Sequence, residues 1–255
     1  MHCLAILSDV HSNLPAVEAV LDDLDRGGRV YDQIIVNGDM VSLGPYPHEC
    51  VQLLRGRANL VFIKGNNDRY ISSKVYEQTN AFHRDLFQSL PPAYVDNLRW
   101  TASQLSQDDL ALIRTWRSHY VVTLGSFEVS IAHGTPTNDE AFISREATNT
   151  ELSNWFPQYA CNVFSHTHEP FVQRSHERHF VNTGSVGFST DGDPRCSYVI
   201  LTQSEGLCAE VRRVEYDTTA TIQRFHALEV PWKEHLIPTL QTGLPYWRSW
   251  KQVDK

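Results

Sequence analysis

Residues 3–24 read CLAILSDVHSNLPAVEAVLDDL, and two patterns meet within them. Cys3 to Leu7 is a wholly apolar run that stops at Ser8-Asp9, as a short strand buried on both faces would. From Asn13 to Leu24 the apolar positions Leu14, Val17, Val20, Leu21 and Leu24 recur at helical spacing. Pro15 falls in the first turn of that helix, where its missing N–H does no harm. The chain therefore opens with a strand, a polar turn and a helix.

The same rhythm continues downstream. Gln33 to Val36 ends at Asn37-Gly38-Asp39, His48 to Leu54 follows Pro47 as a helix, and Leu60 to Ile63 ends at Gly65-Asn66-Asn67-Asp68. Apolar strands alternating with helices predict a buried, largely parallel sheet whose polar strand ends carry the chemistry. Further on, Tyr120 to Leu124 and Phe127 to Ala132 predict a hairpin across Gly125-Ser126. Pro170 to Arg174, Arg178 to Val181, Cys196 to Thr202 and Leu207 to Arg212 add strands around short polar turns, so a second, antiparallel or mixed sheet is expected.

Tyr70 to Arg117 is rich in helix formers and aromatics and is broken once at Pro91-Pro92. It reads as a helical insertion that leaves the sheet beside Asp68 and forms one wall or a lid of the cleft there. Thr218 to Leu228 is helical in composition. The tail from Pro231 to Lys255 carries Trp232, Trp247 and Trp250, which packing on the core or on another subunit explains better than a ligand site does. The expected organisation is one domain over 1–255, with 70–117 as a cap and 231–255 as a C-terminal tail.

A chain of 255 residues buries roughly 70 to 75% of the surface it exposes when unfolded, enough for an enzyme core without disulfides. Lys and Arg number 22 against 30 Asp and Glu, a net charge of -8, so there is no basic footprint for duplex nucleic acid or an anionic membrane. The five cysteines, Cys3, Cys50, Cys161, Cys196 and Cys208, are odd in number and form no CxxC pair. That argues against a disulfide framework or a thiolate zinc site and sets a cytoplasmic location as the expectation. The opening apolar run ends at Asp9, too soon for a signal peptide or a spanning helix.

Polar segments recur where apolar runs end: Asp9-Val10-His11, Gly38-Asp39, Gly65-Asn66-Asn67-Asp68, Ala132-His133-Gly134, Ser165-His166-Thr167-His168 and Asn182-Thr183-Gly184-Ser185. The first five supply the oxygen and imidazole donors that two divalent cations take. Asp9 with His11, and His166 with His168, stand two residues apart, which in extended backbone puts both side chains of a pair on one side. Gly38 and Gly65 each precede a donor at a strand end, where the lack of a Cβ permits a sharp turn and close approach. Tyr46, His48 and Lys64 lie near motif ends as weaker substrate-contact candidates. The other histidines, His2, His83, His119, His176, His179, His226 and His235, have no partner motif.

In this order, DxH, GD, GNxD, HG and HxH resemble the signature of the calcineurin-like metallophosphoesterase superfamily, and most closely its small prokaryotic phosphodiesterase branch. The resemblance runs from Asp9 to about Gly187. It implies an α/β fold, a four-layer αββα sandwich of two mixed sheets flanked by helices. It further implies that Asp9, His11 and His168 bind one metal, that Asn66, His133 and His166 bind a second, that Asp39 bridges them, and that Asp68 supports them from behind. Two divalent ions, Mn, Fe, Zn, Ni or Mg, would then be the cofactors, and a metal-bridging hydroxide would hydrolyse a phosphodiester or a small phosphorylated metabolite. The family usually has a His after the metal-binding Asn to assist the leaving group. Here that position is Asn67, whose amide can donate a hydrogen bond but cannot deliver a proton.

Protein phosphatases and dinucleoside-polyphosphate hydrolases of the superfamily place an Arg after the bridging Asp and before the Asn. This chain has Met40-Val41-Ser42-Leu43 and Lys64 there instead. A catalytically silent interaction module is the alternative from another class, and it would be expected to have lost donors that are all present here. The expected partner is a small phosphate-ester substrate, with a homo-oligomer left open.

Overall fold

The first strand, β1 (His2–Leu7), alternates between two cores. Leu4 and Ile6 point one way and Cys3, Ala5 and Leu7 the other, and both sets are buried. The computed structural model describes residues 2–78, 81–175 and 178–245, and of 81–84 the backbone only. His176, Trp247 and Trp250, with the side chain of His83, fall outside the described residues.

After β1 come α1 (Leu14–Arg26), β2 (Gln33–Asn37), α2 (Pro47–Arg55) and β3 (Leu60–Ile63). Then follow α3 (Asn66–Ser72), a 3₁₀ turn (Val75–Glu77), α4 (Ala81–Gln88), α5 (Pro92–Gln104) and α6 (Gln107–Thr115). The second half holds β4 (His119–Leu124), β5 (Phe127–Ala132), α7 (Asn149–Trp155), β6 (Cys161–Phe164), β7 (Phe171–Ser175) and β8 (Arg178–Asn182). It closes with β9 (Cys196–Gln203), β10 (Leu207–Val214), α8 (Thr219–Ala227) and α9 (Lys233–Thr242).

Two five-stranded mixed sheets result, ordered β10-β9-β1-β2-β3 and β4-β5-β6-β8-β7. β1, β2 and β3 are parallel, as the alternation with helices requires. Cys196–Gln203 and Leu207–Val214, expected to follow the second-sheet strands, belong instead to the first sheet, where β9 pairs antiparallel with β1 (Ala5 opposite Ile200). The reason is the open edge of β1: β2 and β3 build out on one side only, and an apolar strand left unpaired on the other would expose its backbone.

Leu4, Ile6, Ile35, Ile63, Val199 and Leu201 of the first sheet meet Val129, Ile131, Val163 and Val181 of the second in the central layer. On the outer face of the first sheet, Val17, Val20 and Leu24 of α1 share one core with Val51, Leu98, Leu110 and Ile113. The helices between β3 and β4 therefore pack into the main core as well as lining the site. On the outer face of the second sheet, α7 covers Phe164 and Phe180 through Leu152. The four layers of an αββα sandwich are complete.

Helix α3 begins at Asn66, ahead of Tyr70, because Gly65 and Asp68 close its first turn: Gly65 N–H donates to Asp68 Oδ2 at 3.0 Å. Among the described residues no helix is long and apolar enough to cross a membrane.

Candidate metal centre

The C-terminal ends of β1, β2, β3, β5 and β6 gather at one edge of the sandwich, and the polar segments that follow them interlock. His11 N–H donates to Asp39 O at 2.9 Å, joining the turns after β1 and β2. Asn37 Nδ2 donates to Ala132 O at 2.9 Å, bridging the two sheets at the site. Ser165 N–H donates to His133 O at 2.8 Å. From below, Ser185 Oγ donates to Asp9 O at 2.8 Å and Gly187 N–H donates to the same oxygen at 2.9 Å, so the Asn182-Ser185 turn and the residues after it brace Asp9.

Asp9, His11, Asp39, His166 and His168 have φ of 49, 47, 50, 70 and 62°, in the left-handed region. The extended geometry expected for the two i, i+2 pairs is thus replaced by left-handed turns, and convergence comes from those turns and their cross-links. Five non-glycine residues in this region cost conformational energy, which concentrates at functional sites. Gly65 is required by closeness: a Cβ there would lie 2.2 Å from Asp39 Oδ1. At Gly38, φ is +82° and a Cβ would meet His133 Nδ1 at 2.4 Å.

Two groups of potential ligand atoms form, Asp9 with His11 and His168, and Asp39 with His133 and His166, each with its atoms within 4.8 Å of one another. His11 Nε2 and His168 Nε2 face each other at 3.0 Å, and His133 Nε2 and His166 Nδ1 at 3.3 Å. Asp39 Oδ2 lies 3.4 Å from His133 Nε2 and 3.8 Å from His11 Nε2, between the two groups. The outward nitrogens are held: His11 Nδ1 by Ser42 Oγ at 2.9 Å, His168 Nδ1 by Phe188 O at 2.6 Å, and His133 Nδ1 by Asn37 O at 3.1 Å. Each of these rings is thereby oriented with its other nitrogen inward, the arrangement that metal-bound histidines adopt.

The chemistry of the donor set fits divalent cations. Asp9 and Asp39 are buried, and among the described residues their ion-pair partners are histidines alone. Among the described residues, nothing donates a hydrogen bond to the buried Asp9 Oδ1 or Asn66 Oδ1. Such groups are costly unless a cation meets them. Burial, followed by the charge of His168, pushes His11 down to about 3, and burial with His133 pushes His166 down to about 4, so both rings keep free lone pairs at neutral pH. Burial also works against a charged His133, but Asp39 and Asp9 outweigh it and raise it to about 10. Asp39 is held below the usual carboxylate range, the neighbouring His133 overcoming the effect of burial.

Asn66 lines the same cavity as His11, Asp39, His166 and His168. Asn67 does as well, but its amide is engaged: Nδ2 donates to Asp39 Oδ2 at 2.5 Å, and Oδ1 accepts from Tyr94 Oη at 2.5 Å. Asp68 faces away from the cavity and accepts from Gly65 N–H and Val41 N–H, tying the turns after β2 and β3 together. Burial, helped by the charge of Asp39, raises it to about 7. Tyr46, His48 and Lys64 reach no metal group. They bond to Ala220 O, Asp109 Oδ2 and Arg114 O respectively.

The cavity above the cluster has a volume of about 620 Å³. Tyr70, Leu86, Leu90, Pro91 and Tyr94 come to it from the helices between β3 and β4, and Trp232 from the C-terminal region. Trp232 packs with Phe225 and Leu236 as expected, and the same ring also forms part of the cavity wall. Sequence reasoning missed Tyr94 and this second role of Trp232. Tyr94 sits 27 residues beyond Asn67 with no motif around it.

Fold and site together define a metal-binding αββα phosphoesterase architecture. Residues 2–206 match the calcineurin-like phosphoesterase superfamily domain, and the chain belongs to that family of metal-dependent phosphoesterases. An uncharacterized protein of Methanocaldococcus jannaschii is 27% identical over 251 residues, covering 89% of this chain and 93% of that protein. The crystal structure of a metallophosphoesterase from Sphaerobacter thermophilus superposes with a TM-score of 0.74 at 27% identity, over 95% of this chain and 99% of that one. A hypothetical protein from Pyrococcus horikoshii shares the fold, with a TM-score of 0.83 at 21% identity over 95% of this chain and 99% of that one.

Proposed function

We propose that this protein is a dinuclear-metal phosphoesterase that hydrolyses a phosphodiester or a small phosphorylated metabolite. The observation that carries the proposal is the pairing of the two donor groups across Asp39, with two buried carboxylates whose ion-pair partners among the described residues are histidines alone. Asp9, His11 and His168 would hold one cation, Asn66, His133 and His166 the other, and Asp39 both. When bound, the pair supplies a hydroxide nucleophile near neutral pH and positive charge for the phosphoryl oxygens. The Phe188 and Asn37 carbonyls call for Nδ1–H on His168 and His133, which leaves Nε2 for a metal, and Ser42 orients the ring of His11. Asn67 orients Asp39 and leaves no side-chain proton for the departing alcohol, so esters with good leaving groups are favoured. The helices spanning 70–117 act as the cap of the site, and substrate choice resides there. A reducing cytoplasm is the expected location.

The test is metal content by elemental analysis together with hydrolysis of bis-p-nitrophenyl phosphate. Two metals per chain with metal-dependent turnover is the expected result. Two bound metals with no turnover of any ester would favour the silent interaction module instead.

A further inference from the structure

We infer that the substrate is a phosphodiester whose retained ester group, the one that does not depart, carries an aromatic ring, and that the wall facing the metal centre receives that ring. The inference rests on the phosphoesterase reading and narrows it to a substrate class.

The cavity of about 620 Å³ is far larger than a phosphoryl group needs, and its two sides differ in chemistry. The floor is His, Asp and Asn. The wall includes Leu43, Leu86, Leu90, Tyr94, Phe142 and Trp232. Tyr94 and Trp232 meet edge to face at 5.2 Å and 62°, so their rings form one continuous surface. Trp232 holds φ at 74°, a conformation that non-glycine residues adopt at a cost of about 1 kcal/mol or more. Phe142 lines the cavity although 56% exposed, so an apolar ring on the substrate would cover surface that water now meets. The Tyr94 hydroxyl is already donated to Asn67, leaving its ring rather than its O–H for a ligand.

Charge selects the diester. Among the side chains described, no Lys or Arg lines the cavity, and Glu140, which does, is paired with Arg69 at 2.7 Å. Arg and Lys are the side chains most used beside metal to hold dianionic monoesters and polyphosphate chains. A diester brings one negative charge, which the metal centre alone can meet.

The experiment uses the metal-loaded full chain and a series of p-nitrophenyl phosphodiesters that share one leaving group and one charge. The second ester group is methyl, octyl, phenyl or 5′-thymidyl. Phenyl and thymidyl should exceed methyl in kcat/KM by about tenfold or more, and the larger of the two distinguishes a simple aryl ester from a nucleoside. Phe142→Ala, at a position 56% exposed, should shrink the phenyl-to-methyl ratio severalfold, and Trp232→Ala should shrink it further. Methyl phenylphosphonate should inhibit more tightly than phenylphosphonate, which carries the extra charge. Turnover with equal kcat/KM along the series, or with octyl fastest, overturns the inference and leaves the phosphoesterase reading standing. Absence of turnover for every member with metal bound overturns both.

Discussion

On the floor of the cavity every proposed metal ligand lies within five residues of a strand end, where a polar segment follows an apolar run. On the wall facing it, Leu86, Tyr94, Phe142 and Trp232 come from four separate segments and touch the site only because distant elements pack. The floor holds left-handed backbone and is cross-linked by backbone hydrogen bonds from turn to turn. The wall is held by apolar contact. One surface is built to fix charges within tenths of an ångström, and the other to accept a shape, which is the division expected between chemistry and selectivity.

That contrast predicts where substitutions act. Asp39→Ala should have the largest effect, lowering bound metal well below two per chain and cutting turnover of every ester on the order of a thousandfold; unchanged metal content would remove Asp39 from the bridge. Gly65→Ala forces a Cβ against Asp39 and should cost about 1 to 3 kcal/mol, read as a lower Tm together with weaker metal binding. If the Tm falls but metal affinity does not, the strain has been absorbed away from the floor.

Asn67→His should raise alkyl relative to aryl ester hydrolysis by about tenfold, because imidazole can deliver the proton an amide cannot. Equal aryl-to-alkyl ratios in both proteins would show that water or another group already supplies it.

On the wall side, Asp109 ties α6 to α2 by accepting from Ser106 Oγ, His48 and Gln52. Burial alone would raise this carboxyl, but the hydrogen bonds from Ser106 and His48 hold it below its ordinary value. Its stabilisation is therefore present above the unfolded carboxylate pKa and is lost as pH falls through the lower folded value. Asp109→Asn should cost about 1 kcal/mol at pH 7, with the gap in denaturant midpoint closing below about pH 4 and metal content unaffected; a pH-independent gap would speak against the carboxylate. The smallest effect is expected for Tyr94→Phe, which removes one hydrogen bond to Asn67 and should change kcat by about two- to tenfold with little change in metal affinity. A loss of metal as large as that in Asp39→Ala would place Tyr94 functionally on the floor.

Much of the floor was readable in the chain. Asp9, His11, Asp39, Asn66, His133, His166 and His168 all follow apolar runs, and Gly38 and Gly65 stand where crowding requires them. What the motif did not reveal was the backbone that makes it work: left-handed φ at Asp9 and His168 is set by cross-links from other strands. The placement of β9 against β1 was equally hidden, since its apolar run fits a strand in either sheet and only the open edge of β1 decides between them.

Polar residues at the ends of apolar runs pointed by themselves to an α/β fold and to a set of candidate donors, because strand periodicity and side-chain chemistry are both local in sequence. The two-sheet sandwich and the assignment of donors to metals were implied by the family resemblance. Which surface faces that donor set was decided only in three dimensions. Tyr94 and Trp232 are ordinary apolar packing residues by any local pattern, and they become a wall because helices that bury their own faces in the core leave these rings turned toward the metal centre.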